Sequence, residues 1–295
     1  MELAYRLLNV FTVAGDRLSG NPLCVFEDGR GLEPWQMQAL ARQFNLSETT
    51  FVLPPGRPGA TARVRIFTPD FEMPFAGHPT LGTAQVVRAL TGGAGSGAGR
   101  AGGGAGQVTL EMKAGLVEVR AEGDRWTLRA ARAPVTRVPA AAPDLLAAMV
   151  GLPAGAVVGP RWVDTGVEQL VLPVRSGAEV EAARPDPALL SVHGRGSKGG
   201  EAMAYVWAEV APGQVSARFF FMAGGGVVED PATGSACANL GGWRVVSGAP
   251  RPARLTVDQG RAVGRPSRLE LEVEAGGGIL VSGEVVELGR GTLRI

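Results

Sequence analysis

Two stretches of the chain combine residue types that could hold a ligand and move a proton. GVVEDPATGSA (226–236) places Glu229 and Asp230 before a proline, then Thr233, Gly234 and Ser235 at the front of a helical run. EMPFAGHPTLGTA (72–84) has a similar design, with Gly77, His78, Pro79 and Thr80 ahead of small and apolar residues. A helix start leaves several backbone N–H groups unpaired and carries a partial positive charge. Two such starts facing one cleft would form a cage for an anion such as a carboxylate. Thr80, Thr233 and Ser235 add hydroxyls that can donate or accept. Gly77, Gly82 and Gly234 let backbone approach a ligand closely. The plain alternative is capping, since Ser, Thr and Asp commonly precede helices for that reason alone. The occurrence of two matching turns favours a shared ligand site.

For proton transfer the candidates are His78, Asp230, Glu229, Asp70, Glu72 and Glu48. His78 lies inside the first turn rather than on a regular helix face. Glu48 sits in NLSETTFVLP, after an expected helix and at the start of an expected strand. It reads either as a solvated acid at a helix end or as a strand-end carboxylate facing the cleft. A carboxylate against apolar walls has a raised pKa and can exchange protons with carbon near neutral pH.

The elements that must position these groups are mostly strands. Segments rich in Val, Leu, Phe and Thr are expected as strands at 3–13, 21–26, 48–53, 62–67, 107–112, 115–121, 125–130, 157–159, 168–174, 202–210, 215–222, 267–274 and 279–287. Helices are expected in EPWQMQALARQF, with Pro34 in the first turn, and in PTLGTAQVVRAL, APDLLAAMVGL and GSACANLGGWRVV. The segment TGGAGSGAGRAGGGAGQ (91–107) reads as an enlarged surface loop. It is not a phosphate loop, because no Gly-Lys-Ser/Thr follows the glycines. Each half of the chain is mostly strands and carries one Gly/Pro/Thr-rich turn that opens a helix of small residues. Such a helix fits best where strands enclose it closely. The expected fold is therefore α+β, in two similar halves, each a curled sheet around one central helix, with a cleft between them. The expected division is 1–118 and 119–295, with a return of the final strand to the N-terminal half left open.

Composition excludes several function classes. The 295 residues carry a formal charge of +1, so no strong field points to nucleic acid or an anionic membrane. No apolar run approaches the length of a membrane-spanning helix, and the first residues lack the layout of a secretory signal. A cytoplasmic protein is expected. The two cysteines, Cys24 and Cys237, have no CxxC spacing and read as buried, reduced thiols, and two histidines, His78 and His193, are too few for a histidine-rich metal site. No strand–GxGxxG–helix unit supports a dinucleotide cofactor.

In order along the chain, VFTVAGDRLSGNPLCVF, LSETTFVLP, RIFTPDFEMPFAGHPTLGTA, EDPATGSACANL and QGRAVGRPSRL resemble the phenazine biosynthesis protein F family, within the group that has the diaminopimelate epimerase fold. The motifs run from Val10 to about Leu269. The resemblance implies two pseudo-symmetric halves, each a barrel-like, mostly antiparallel sheet around a central helix. It also implies an isomerase that moves a proton on a small carboxylate-bearing substrate without metal or organic cofactor, and a homodimer. By the same resemblance Glu48 is the proton-transfer group, and His78, Asp230 and Ser235 lie around the substrate. Asn21 and Gly77 match positions that line the site. Racemases of the wider group use one cysteine from each half, but Ala76 and Ala232 stand in the comparable turns here, which disfavours a two-cysteine mechanism. An epimerase without cysteines and a non-catalytic carboxylate-binding protein stay open as alternatives.

Overall fold

The computed structural model describes residues 1–92, 106–197 and 199–295. Over 93–105, the glycine-rich loop expected at 91–107 lies outside the described residues. The chain divides into two compact units, Met1–Arg129 with Ser282–Ile295, and Ala130–Val281. Residue 118, the expected boundary, lies inside a strand, Gly115–Glu122, which pairs with the strand that follows it.

In the first unit the order is β1 (Glu2–Thr12), β2 (Asn21–Phe26), α1 (Pro34–Phe44), β3 (Glu48–Leu53), β4 (Ala62–Phe67), β5 (Glu72–Met73), α2 (Gly77–Leu90), β6 (Gly106–Met112), β7 (Gly115–Glu122) and β8 (Arg125–Arg129). The second unit holds β9 (Val135–Arg137), α3 (Pro143–Met149), β10 (Arg161–Asp164), β11 (Glu168–Pro173), α4 (Gly177–Ala182), α5 (Pro187–His193), β12 (Met203–Ala211), β13 (Gln214–Ala223), β14 (Gly226–Asp230), α6 (Gly234–Val246), β15 (Ala253–Gln259) and β16 (Ser267–Val273). A last long strand, β17 (Ile279–Arg294), returns to pair with β1. No helix among the described residues is long and apolar enough to cross a membrane.

Pairing in the first unit closes a ring: β17–β1–β2–β3–β4–β6–β7–β8 and back to β17. Its β2–β3 and β4–β6 steps are parallel. The second unit follows the same plan, β9–β10–β11–β12–β13–β15–β16, with parallel steps at β11–β12 and β13–β15. A parallel step needs a crossover connection, which a helix usually supplies. In each unit one crossover runs outside the sheet (α1; α4 and α5) and the other is the Gly/Ala-rich helix (α2; α6). Short β5 and β14 each pair beside the strand before them and lead into that helix.

The two kinds of helix differ as their sequences require. α1 buries one face, Met37, Leu40 and Ala41, against Cys24, Phe26, Phe51 and Phe67. Phe26 and Phe51 stack at 4.8 Å between centroids. With α1 on one side and α2 on the other, β3 is buried almost throughout, which is why ETTFVL lacks a polar–apolar alternation. α2 is instead buried on nearly every side, packing on β1, β2, β3, β4, β6, β7 and β8, and α6 packs on β9, β10, β11 and β16. Such a helix has no room for bulk. A Cβ added at Gly82 would lie 2.5 Å from Leu23 Cδ2 and 3.0 Å from Val10 Cγ2. At Gly242 it would meet Val163 Cγ1 at 2.8 Å, Pro134 Cβ at 2.9 Å and Thr165 Cγ2 at 3.0 Å.

Several expectations change. The strand expected at 157–159 is a single bridge, Val157 to Val174. β5, β9, β10, β14 and β15, and helices α4 and α5, were not expected. α2 begins at Gly77, two residues before the expected start, so His78 belongs to its first turn.

The surrounded helix gives a stability test in which two effects oppose each other. Alanine is favoured over glycine in a helix by about 1 kcal/mol, whereas overpacking a filled core costs about 1–3 kcal/mol. With three neighbours under the 3.4 Å of ordinary contact, overpacking wins at Gly242. Gly242→Ala is expected to lower the unfolding free energy by about 1–2 kcal/mol; a stabilised variant in urea denaturation would contradict the enclosure.

Candidate active site

The alternation of side chains in a strand decides which residues face the central helix. On β2, Leu23 points inward to Gly82, so Asn21, two residues earlier, shares that face. On β3, Thr50 points inward, because its Oγ1 lies 2.8 Å from Thr83 Oγ1 of α2. Glu48 therefore also points inward. The parallel register sets Leu23 beside Glu48, so Asn21 and Glu48 stand at the same end of the ring. The first turn of α2 reaches that end, and His78 Nδ1 lies 3.5 Å from Glu48 Oε2. Asn21 Oδ1 accepts a long hydrogen bond, 3.4 Å, from Ser47 Oγ. The structure thus brings Asn21, Glu48, Gly77 and His78 together.

His78 is 4% exposed. Desolvation pushes its imidazole down from the ordinary 6.5 to about 3, against a smaller opposing effect of its hydrogen bond to the Pro22 carbonyl. The ring is neutral at physiological pH, so its contact with Glu48 is not an ion pair, although the distance alone would allow one. His78 Nε2 is buried without a hydrogen-bond partner among the described residues. A neutral imidazole can pass or accept a hydrogen bond without adding a fixed positive charge.

Thr80 is placed differently from expectation. Its hydroxyl donates to the Ala76 carbonyl at 2.6 Å, one helical turn back, and lies 3.7 Å from Met112 Sδ. Its proton is therefore used inside the helix. Neither central helix has a side-chain cap at its start: Ala76 precedes α2, and Thr233, which precedes α6, makes no capping bond. The capping alternative thus does not describe these turns.

At the start of α6, Thr233 Oγ1 donates to Asp230 Oδ2 at 2.5 Å. Gln259, 1% exposed at the end of β15, donates through Nε2 to the Asp230 carbonyl at 2.9 Å and to Thr233 Oγ1 at 3.1 Å. Its Oε1 accepts from the Thr233 N–H at 3.4 Å. Gly260 has φ +79°, and a Cβ there would lie 2.5 Å from the Pro231 carbonyl oxygen, so the QG pair holds the turn by close approach. Ser235 Oγ accepts from Gln169 Nε2 at 3.0 Å, and Gln169 Oε1 accepts from Asn239 Nδ2 at 2.8 Å. Gly234 is the buried first residue of the helix. Asp230, Thr233, Gly234 and Ser235 are thus gathered at one helix start.

Of the remaining candidate acids, Glu229 and Glu72 are held by structural partners. Glu229 Oε2 lies 2.6 Å from Arg218 Nη2, and Arg218 also donates to the Val180, Glu181 and Ala183 carbonyls at the end of α4. Burial alone would raise the Glu72 carboxyl, but hydrogen bonds from Arg65 and Lys113 hold it below its ordinary value. Asp70 is exposed in the turn between β4 and β5. Both cysteines are buried and unpaired, and burial pushes their thiols up, away from thiolate formation. Sequence reasoning missed Gln169, Asn239, Gln259 and the Thr50–Thr83 pair. The signal was available as single amides inside apolar runs, VEQLVLP and ACANLGG.

A family model described as phenazine biosynthesis-like protein matches residues 8–291. The chain is 36% identical over 296 residues to an isomerase of Pasteurella multocida, covering 98% of this chain and 93% of that one. It is 34% identical to trans-2,3-dihydro-3-hydroxyanthranilate isomerase of Pseudomonas chlororaphis, covering 98% of each. Among solved structures, a predicted epimerase from Pseudomonas aeruginosa superposes with a TM-score of 0.79 at 31% identity, covering 99% of both chains.

Neutral His78 has a consequence for stability. Its folded pKa of about 3 lies below the ordinary 6.5, so between those values the unfolded chain binds more protons. Stability contributed by the neutral ring is present above pH 6.5 and lost as pH falls toward 3, with a slope of up to about 1.4 kcal/mol per pH unit. Urea denaturation of His78→Gln is expected to show a shallower acid loss by about that slope; an unchanged slope would mean that His78 titrates normally.

Proposed function

The chain belongs to the phenazine biosynthesis-like protein family, and from that premise we propose that it is a cofactor-independent isomerase that moves a proton on a small carboxylate-bearing substrate. The observation that carries the reading is the Glu48–His78 contact at 3.5 Å, at the uncapped start of an enclosed helix. Glu48 takes a proton from a carbon activated by a neighbouring carbonyl or unsaturated system and returns it elsewhere on the substrate. His78, kept neutral by burial, orients the substrate and relays a proton without competing with Glu48 for charge. In each unit the backbone N–H groups at the uncapped helix start suit an anion such as a carboxylate, whose negative charge fits that end of the helix dipole. Asn21, Gly77, Thr233, Gly234 and Ser235 are assigned to substrate binding, with Asp230 as a second group that orients the substrate. The raised, buried thiols support proton carriage by carboxylate and imidazole rather than by a cysteine pair. A cytoplasmic homodimer completes the proposal.

The relatives named for trans-2,3-dihydro-3-hydroxyanthranilate make that compound the first substrate to assay. With it, or with another carboxylate found to turn over, Glu48→Gln is expected to lower kcat by about 10²–10⁴ while KM stays within a few-fold. Wild-type turnover by this variant would remove Glu48 from the mechanism. Loss of binding with kcat unchanged would recast it as a substrate ligand.

A further inference from the structure

Two buried amides, Asn239 on α6 and Gln169 on β11, fix the direction of the hydrogen bonds between them. A backbone N–H can only donate, so Thr165 N–H, 2.9 Å from Asn239 Oδ1, identifies that atom as the acceptor. The Thr165 hydroxyl donates to the same oxygen at 2.7 Å. Asn239 must then present its NH2, which donates to the Val167 carbonyl at 2.9 Å and to Gln169 Oε1 at 2.8 Å. Gln169 in turn must present its own NH2 to Ser235 Oγ, 3.0 Å away. Asn239 is fully buried and Gln169 is 2% exposed, so no solvent molecule competes to reverse the order. At the end of the chain Ser235 Oγ accepts a hydrogen bond from Gln169 Nε2, and no acceptor among the described residues takes the hydroxyl's own hydrogen.

The neighbouring hydroxyl has the opposite fate. Thr233 Oγ1 also receives a hydrogen bond from an amide, Gln259 Nε2, but its proton goes to Asp230 Oδ2. Of the two hydroxyls in this turn, only that of Ser235 is left to donate outside the protein. Ser235 is half-buried, whereas the rest of its chain is enclosed.

We propose that Thr165, Asn239 and Gln169 form a one-way hydrogen-bond relay that makes Ser235 an obligate donor to a carboxylate oxygen of the substrate. Gln169 and Asn239 are positioning residues: they touch no substrate atom and act through Ser235. The inference rests on the reading of this turn as part of the substrate site, and it sharpens that reading from a polar pocket to one that accepts only a hydrogen-bond acceptor at this point. A substrate presenting a donor here would leave two donors opposed, which costs far more than a lost bond.

Two variants reverse the relay without changing its shape. In Gln169→Glu both oxygens accept, so Ser235 must turn its proton inward. In Asn239→Asp the native Gln169 must turn its NH2 toward the new oxygen and offer Oε1 to Ser235, with the same result. Calorimetric titration with anthranilate as the carboxylate probe is expected to show binding to the wild type and at least about tenfold weaker binding to each variant, the weight of a hydrogen bond to a charged group. Ser235→Ala should lose a similar factor, and Gln169→Glu should add nothing to it in the double variant. A merely structural role would instead add its cost in both backgrounds. Equal affinity of the wild type and both reversed variants would overturn the proposal. Neutron diffraction of the deuterated wild-type protein tests the relay without any ligand: the Gln169 amide deuterons should face Ser235, and the Ser235 deuteron should point away from Gln169. A Ser235 deuteron directed at Gln169 overturns the relay. If the neutron map supports the relay but anthranilate and trans-2,3-dihydro-3-hydroxyanthranilate both fail to bind, the carboxylate donor role is overturned while the one-way geometry stands.

Discussion

Everything at the candidate site follows from enclosing a helix inside a curled sheet. A surface helix needs one apolar stripe, but α2 and α6 touch strands on several sides and must be slim all round. Gly82, Ala84, Gly241 and Gly242 meet that demand, and a Cβ at Gly82 or Gly242 would collide with side chains of the surrounding strands or the loop beside them. Enclosure also decides what the first turn of each helix can be. The start of the helix reaches one end of its sheet with no capping side chain. The residue second in the helix, His78 in one unit and Ser235 in the other, stands beside inward-facing strand residues, Glu48 and Gln169 respectively.

The same enclosure sets the electrostatics. Water is excluded from His78, and the cost of charging a ring there outweighs its hydrogen bond to the Pro22 carbonyl. The result is an imidazole that stays neutral beside a carboxylate. Inside the second unit the excluded water has a different effect. Amides that cannot exchange partners with solvent hold one orientation, so the direction of a hydrogen bond at the Thr165 backbone is carried to Ser235. The two helix starts are built alike but are not chemically alike. One offers a carboxylate and a neutral ring, the other a donor hydroxyl and an acid, Asp230, already bonded to Thr233.

Much of this was legible in the residues. The duplicated turn and the small-residue helices stand in the sequence, because steric demand on an enclosed helix leaves a compositional mark, whereas for Glu48 the residues left a solvated helix-end acid and an inward strand-end carboxylate both open. The motifs from Val10 to Leu269 carried the family. The elements that escaped were of two kinds. β9, β10 and β14 are three to five residues long and bear charged or exposed residues, so their pairing comes from their neighbours rather than their own pattern. β15 and α4 did leave signals: Leu255, Val257 and Gln259 alternate inward, and Ser176 with Glu179 forms a capping box. The amide relay was the least legible part. Thr165 and Gln169 lie close together in sequence, but Asn239 is 74 and 70 residues from them, and only the fold brings the three into one line.

The protonation state of His78 tests the central claim, that enclosure dictates the chemistry of the helix start, most directly. The chain has only two histidines, so the ring nitrogens of His78 can be assigned against His193 by ¹⁵N NMR. From pH 7.5 down to 5 the His78 nitrogens are expected to keep the shifts of a single neutral tautomer, as a pKa of about 3 requires. A titration midpoint near the ordinary 6.5 would contradict the account, because a ring that charges so readily is not enclosed.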